Sequence, residues 1–185
     1  LEDMKEFFND GCNIIDEFLK RKSGYFPKKN TELVGIEIGL NHKVTDNIDF
    51  RGYMDVVLHN SVTGRIKIID IKTATMGWNK YMKADKIKTN QLLLYKYFFS
   101  KEREIPIDKI DVEYLILKRK LYENFDYPQK RLQTFSPASG KPSINKVMRR
   151  LQEFIEECFD DEGNVIGKDY EKCEKHKKCI LCKDL

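Results

Sequence analysis

Several features are missing from this sequence of 185 residues, and each absence excludes a class of protein. No apolar run approaches the roughly 20 residues that cross a bilayer, so we expect no membrane partner. No secretory signal peptide is visible, and no glycine-rich phosphate loop precedes a helix. Charge of one sign is not in large excess, since 34 basic residues face 30 acidic ones, for a formal charge of +4. An anionic partner such as nucleic acid is therefore permitted but not required.

The sequence does not predict a disulfide framework, because it has an odd number of cysteines, five, and no visible secretory signal. We expect a reducing, intracellular setting. The hydrophobic fraction of 41% is ordinary for a globular protein, and the length is sufficient for one domain with a core of its own.

Hydrophobic periodicity predicts alternating helices and strands in a mixed α/β arrangement. Helices are predicted at Met4–Lys22, Asp85–Ser100 and from an N-cap at Ser143 to Phe159. Strands are predicted at Leu33–Leu40, Phe50–His59, Arg65–Thr73 and Asp111–Lys118, with 121–135 as a further strand or ribbon. The turn at 60–64 predicts a hairpin between the second and third strands, and 75–84 is predicted to be a polar loop.

Acidic residues interrupt two of the apolar strands. Side chains alternate along a strand, so Asp70 and Lys72 are expected on one face while Ile69 and Ile71 point into a core. If the hairpin forms, Asp55 can approach Asp70. Paired carboxylates repel unless a cation neutralises them, and oxygen ligands suit Mg²⁺ or Mn²⁺. The carbonyl of Ile71 could add a further oxygen ligand.

Three short motifs occur in order along the chain: Gly52-Tyr53-Met54-Asp55, Asp70-Ile71-Lys72-Thr73, and Gln91-Leu92-Leu93-Leu94-Tyr95. Their order resembles the PD-(D/E)xK nuclease superfamily, specifically its RecB-like exonuclease branch, over roughly residues 11 to 120. The resemblance implies an α/β, restriction-endonuclease-like fold with a central mixed sheet flanked by helices. We expect residues 1–160 to form this nuclease domain.

The resemblance also implies individual roles. Asp55 and Asp70 would be metal ligands, Lys72 the catalytic lysine, and Gln91 and Tyr95 would share a helix face that looks at the active site. The alternative for Tyr95 is a core aromatic.

A further acid, Glu37, lies in an apolar strand and could complete the metal site; its alternative is an outward-facing charge. Relatives in this branch usually carry a His or Glu on the first helix. No His precedes His42 here, so Asp16 or Glu17 could fill that position.

Aromatic and basic residues are interleaved just after the predicted catalytic strand. Such a mixture suits single-stranded nucleic acid, because bases stack on rings while cations contact phosphates. The alternative is a solvated loop. The predicted nucleic-acid contacts are Trp78, Lys80, Tyr81, Lys83 and Lys88, with Lys86 among the surrounding cations.

The C-terminal residues 161–185 form a predicted Cys- and Lys-rich tail. Cys179 and Cys182 have the two-residue spacing of zinc and iron–sulfur ligands, and Cys173 precedes them. The resemblance adds Cys12 as an early ligand of an iron–sulfur cluster, whereas His176 offers a Zn²⁺ alternative. The remaining possibility is a tail with free thiols.

The expected function is that of a metal-dependent deoxyribonuclease, an exonuclease acting on DNA ends or single strands. Its expected partners are DNA and a helicase or recombination protein, in the cytoplasm of a bacterial, archaeal or phage-infected cell or another intracellular DNA compartment. Two alternatives stay open: a non-catalytic nucleic-acid-binding module with the same fold, and an interaction domain stabilised by zinc or a cluster.

Overall fold

The computed structural model describes residues 2–124 and 126–167, which form four α-helices and five strands. The helices are α1 (Glu2–Tyr25), α2 (Lys80–Ala84), α3 (Lys86–Glu102) and α4 (Lys141–Cys158). The strands are β1 (Thr31–Lys43), β2 (Asp49–Asn60), β3 (Arg65–Ala74), β4 (Ile110–Lys118) and β5 (Leu132–Phe135). One 3₁₀ turn, Ile107–Lys109, leads into β4.

The strands form a single mixed sheet in the order β1-β2-β3-β4-β5. All neighbours are antiparallel except β3 and β4, which run parallel. Parallel neighbours need a long crossover, and α3 supplies it. This mixed sheet flanked by helices confirms the predicted α/β, restriction-endonuclease-like fold class.

Helices cover the two faces of the sheet. On one face, a cluster of buried side chains from β2 to β5 packs against Phe18 and Tyr25 of α1. On the other face, the Tyr114 hydroxyl of β4 donates a hydrogen bond to the carbonyl of Lys88 in α3. Because strand side chains alternate between faces, β4 contributes to both layers of the core, with Leu115 on one face and Tyr114 on the other.

The β2–β3 hairpin is confirmed, and the turn chemistry explains its register. Asn60 Oδ1 accepts hydrogen bonds from the N–H groups of Val62 and Thr63, and Gly64 has a positive φ of 63°. Asparagine and glycine suit these positions because Asn can bond its own backbone and Gly has no Cβ to clash.

Four local predictions need correction. Only Leu132–Phe135 of the segment 121–135 forms a strand, and the predicted polar loop contains the short helix α2. Ser143 is not an N-cap, because α4 already begins at Lys141. Ile71 does not point into a core, since 37% of it is exposed.

Contacts divide the chain into two compact units, Leu1–Arg150 and Leu151–Leu185. The predicted end of the nuclease domain at residue 160 stays a prediction. In the second unit, Asp160 accepts hydrogen bonds from the N–H groups of Glu162 and Asn164, which lowers the pKa of its carboxyl. None of the helices within residues 2–124 and 126–167 is long and apolar enough to cross a membrane.

Replacing Gly52 in β2 by alanine should destabilise the fold. A Cβ at this position would lie 2.6 Å from Cε1 of Tyr95, and that ring is only 6% exposed, so it cannot swing away. Overpacking of this kind costs roughly 1–3 kcal/mol. We expect urea denaturation to show this loss in the free energy of unfolding.

The matched control is Gly39→Ala in β1. There the nearest atom is a Tyr53 ring carbon at 3.6 Å, an ordinary contact. Equal stabilities of the two variants would contradict the close approach of Tyr95 to β2.

Candidate active site

The candidate site lies where β2 and β3 separate. Their antiparallel pairing ends at Val56 and Ile69, although both strands continue. Beyond this point β2 pairs with β1 alone, and β3 with β4 alone. If the same register continued, Asp55 would face Asp70, so both acids stand at the first position of the gap.

Asp55 uses its side chain to bridge this gap. Its Oδ2 accepts a hydrogen bond of 2.5 Å from the backbone N–H of Ile71 on β3. A carboxylate thus satisfies a strand amide that the neighbouring backbone no longer reaches. The bond also fixes the orientation of Asp55 next to Asp70.

Asp70 is one of the few buried charged residues among those described, with 2% exposure. Its Oδ2 lies 2.7 Å from Nζ of Lys72 and has no other partner in the described part of the chain. Burial raises the pKa of Asp70, the Lys72 ammonium opposes this, and Asp55 adds to the rise. An ionised Asp70 is therefore held in an unfavourable environment.

This arrangement fits a divalent cation. The donor atoms are carboxylate oxygens, one of which is buried with the Lys72 ammonium as its close partner. No three His, Cys, Asp or Glu side chains within residues 2–124 and 126–167 lie close enough together to hold an ion. Magnesium does not require three, because it is commonly bound by one or two carboxylates with waters and substrate phosphates.

The two predicted residues on α3 lie together. Gln91 Nε2 donates a hydrogen bond of 2.9 Å to the Tyr95 hydroxyl. The Tyr95 ring is buried against Phe50 and the backbone of Gly52. Tyr95 is therefore a core aromatic whose hydroxyl reaches Gln91, and Gln91 is the more accessible of the pair.

Tyr114 is a buried neighbour of the site that sequence reasoning missed. It pairs with Asp70 in the β3–β4 register, and its hydroxyl is bonded to Lys88. Burial raises the pKa of Tyr114, and the nearby Asp70 charge raises it further. Only the pairing of β3 with β4, a long-range contact, reveals this proximity.

The other predicted acids do not form a group of three with Asp55 and Asp70 among the described residues. Glu37 lies across from Asp55 in the β1–β2 register, but it is exposed and has a positive φ of 50°. Asp16 is exposed, and Glu17 accepts a hydrogen bond from the N–H of Arg131. The buried acid of α1 is instead Asp10, whose Oδ2 is 3.8 Å from Lys120 Nζ.

Trp78 was predicted to stack on nucleic acid, and the structure contradicts this. The ring is 7% exposed and packs against Tyr114 and Phe135, with centroids at 4.8 Å and 6.2 Å. The side-chain amide of Gln133 bonds the backbone of Trp78: its Oε1 accepts from the Trp78 backbone N–H, and its Nε2 donates to the Trp78 carbonyl. A tryptophan between a strand end and a short helix is simply an efficient core residue.

The neighbouring predicted contacts are more open. Tyr81 is 73% exposed, with Lys80 Nζ 5.0 Å from its ring centroid. Lys83 lies over Phe135, and Lys88 forms an ion pair of 3.5 Å with Asp85. A solvent-facing tyrosine beside a lysine can stack on a base and contact a phosphate.

The predicted cluster or zinc site is largely beyond the described part of the chain. Cys12 is exposed on α1 with a free thiol. Cys173, His176, Cys179 and Cys182 lie outside the described residues.

Replacing Asp70 by asparagine should stabilise the protein at neutral pH when a chelator removes divalent ions. The pKa of Asp70 is higher in the folded state than in the unfolded chain. The folded protein is therefore most stable with respect to this group below the ordinary pKa of about 4, where the carboxyl is protonated. That stability is lost as the pH rises through the folded pKa and the buried group ionises. We expect a gain of the order of 1 kcal/mol in the free energy of unfolding, growing from pH 4 to neutrality.

Asp111→Asn provides a control of opposite sign. Arg65 donates two hydrogen bonds to Asp111, at 2.6 Å and 2.7 Å, and lowers the pKa of that carboxyl. This variant should lose stability over the same pH range. A loss of stability in Asp70→Asn as well would show that burial does not penalise the Asp70 charge.

Comparisons with known proteins identify a family for this chain. The family model of the PD-(D/E)XK nuclease superfamily matches residues 11–183. A search of curated proteins gave no match. The crystal structure of SSO0001 is similar to this chain at 15% identity and a TM-score of 0.40, covering 77% of this chain and 59% of that one. The chain thus spans about three fifths of that structure.

The family match covers nearly the whole sequence. The acid and the lysine of the motif after which the family is named correspond to Asp70 and Lys72, which form an ion pair at the gap between β2 and β3. This chain belongs to the PD-(D/E)XK nuclease superfamily.

Proposed function

We propose that the protein is a metal-dependent deoxyribonuclease that hydrolyses phosphodiester bonds, acting as an exonuclease on DNA ends or single strands. The observation that carries the proposal is the buried carboxylate of Asp70, which lies beside Asp55 with the Lys72 ammonium 2.7 Å from its Oδ2. Keeping such a group charged costs free energy unless it is paired or coordinates a metal, and perturbed carboxylates of this kind cluster at functional sites.

Each residue has a separate task in the proposed reaction. Asp55 and Asp70 would hold Mg²⁺ or Mn²⁺, and Glu37 and the Ile71 carbonyl are retained as further proposed ligands. The bound ion would supply Lewis-acid stabilisation and would lower the pKa of water. Asp55 stays oriented through its bond with the Ile71 N–H, which limits the reorganisation needed when substrate arrives.

Lys72 is the proposed electrostatic and positioning group for the reacting phosphate. Its side chain is 35% exposed while its ammonium lies against the buried Asp70, so it connects the interior to the open gap. An ammonium there stabilises negative charge that develops on the phosphate and orients an attacking water. Gln91, held by Tyr95, is proposed to contact the substrate strand.

The finer parts of the proposal rest on the RecB-like order of the three motifs. These parts are the exonuclease mode, the preference for DNA, and a helicase or recombination partner. The exposed pair of Lys80 and Tyr81 supports contact with a single strand. The intact Asp70–Lys72 pair disfavours the alternative of a non-catalytic binding module.

Removing either member of the central pair should abolish cleavage. We expect Asp70→Ala and Lys72→Ala to reduce hydrolysis of DNA by at least ~100-fold with Mg²⁺ or Mn²⁺, because each removes preorganised charge from the reacting phosphate. Gel assays on linear, circular, single-stranded and double-stranded DNA would measure this and would separate end-dependent from internal cutting.

The matched control is Lys67→Ala on the same strand. Lys67 pairs with Glu113 at 2.7 Å, five residues before Lys72, and should leave cleavage within about 2-fold of the wild type. Full activity in Asp70→Ala or Lys72→Ala would overturn the assignment.

Divalent ions should stabilise the wild type through the acidic pair. We expect Mg²⁺ or Mn²⁺ to raise the melting temperature in proportion to the logarithm of their concentration, since a ligand of the folded state stabilises it by mass action. EDTA should remove both this shift and the DNA cleavage.

Asp70→Asn should show a much smaller shift, whereas Asp46→Asn, an exposed acid near the end of β1, should match the wild type. Equal shifts in all three proteins would place ion binding elsewhere. Metal-independent melting together with DNA binding but no cleavage would favour the binding-module alternative.

A further inference from the structure

A second, strongly basic cleft lies between α3 and α4. It encloses about 80 Å³, a few water volumes, and is lined by cations and neutral side chains without any Asp or Glu. The polar lining residues that matter are Lys83, Lys86, Asn90, Ser143, Lys146 and Arg150.

The two helices bring these cations together by packing against each other. Leu93 of α3 and Ile144 and Val147 of α4 form a shared buried cluster. Lys146 and Arg150 follow Ser143 at helical spacings of three and seven residues, so they lie on one face of α4. The sequence separates them from Lys83 and Lys86 by about 60 residues, and only helix packing joins the two pairs.

The four cations have no acidic partner in the described part of the chain. Lys83 Nζ lies 5.7 Å from the Phe135 ring centroid, and no ion pair with a carboxylate involves any of the four among residues 2–124 and 126–167. Gathering unpaired positive charges costs free energy through repulsion. A bound anion would remove that cost, and the small volume suits a single phosphate.

The sheet places this cleft close to the acidic pair. Asp70 pairs with Tyr114, and Tyr114 pairs with Phe135, which lines the cleft. Two strand spacings separate Asp70 from Phe135, or roughly 10 Å. Asp70 and Tyr114 interact on the α3 side of the sheet, where the cleft also lies.

We propose that the cleft between α3 and α4 binds a backbone phosphate of the nucleic-acid strand whose cleavage occurs at Asp55 and Asp70. The inference rests on the proposed function for the identity of the strand. Lys80 and Tyr81, on the connection that leads into α3, would contact the nucleotides between the two places. The cleft then sets the register of the strand a few nucleotides away from the reacting phosphate.

The test measures binding of a fluorescein-labelled single-stranded oligonucleotide of about 20 nucleotides, in EDTA so that nothing is cleaved. We expect Lys146→Ala/Arg150→Ala to raise Kd about 10-fold at low salt. The slope of log K against log salt should fall by about 1.4, since each phosphate contact on a single strand contributes about 0.7.

Lys20→Ala/Lys109→Ala is the matched control, because it removes the same charge from exposed positions on α1 and in the 3₁₀ turn before β4. It should change Kd by less than about 2-fold and leave the slope intact. Lys146→Arg/Arg150→Lys should restore the wild-type slope, which separates lost charge from lost folding. An unchanged salt slope in the alanine variant, or an equal change of slope in the control variant, would overturn the proposal that the cleft binds a phosphate.

This outcome is independent of the proposed function. If the wild type cleaves DNA with Mg²⁺ but the alanine variant keeps the wild-type salt slope, only the proposed phosphate site in the cleft is wrong. If the slope falls as expected but no metal supports cleavage, the cleft stands as a nucleic-acid site and the nuclease proposal fails.

Discussion

The hydrogen bond between the Asp55 carboxylate and the Ile71 N–H is the contact on which the site depends. β2 and β3 separate after Val56 and Ile69, and a sheet that opens in its middle leaves polar backbone groups without partners. One side chain satisfies the first of them. The same bond orients Asp55 toward Asp70. A single hydrogen bond therefore both satisfies the unpaired strand amide and brings the two acids together.

The buried charge of Asp70 lowers the stability of the fold. Asp70 stands in a row with Tyr114 and is nearly inaccessible to water, with Lys72 as its only close cation among the described residues. An apolar residue would pack there without this penalty. A cation bound between Asp55 and Asp70, as proposed, would offset this cost.

Most residues around the acidic pair support the fold, and only a few polar groups there reach the solvent. Tyr95, Trp78 and Tyr114 are buried aromatics that fix α3 and the end of β3 relative to the acids. Gln91 and Lys72 are the polar groups that reach outward from this support. Rigid aromatic packing behind a few accessible polar groups holds the reactive geometry without paying for order when substrate binds.

Local patterns in the sequence determined most of the elements and the central site. Alternating apolar residues placed β2 and β3, the Asn60–Gly64 turn joined them, and the spacing of Asp55, Asp70 and Lys72 identified the acidic pair. These features depend on neighbours within about 20 residues, so they can be recognised along the chain. What only the tertiary structure decided are pairings across long separations: Tyr114 beside Asp70, Trp78 in the core, and Lys146 and Arg150 beside α3. Burial and charge clustering at such positions follow from strand register and helix packing, which no local periodicity specifies.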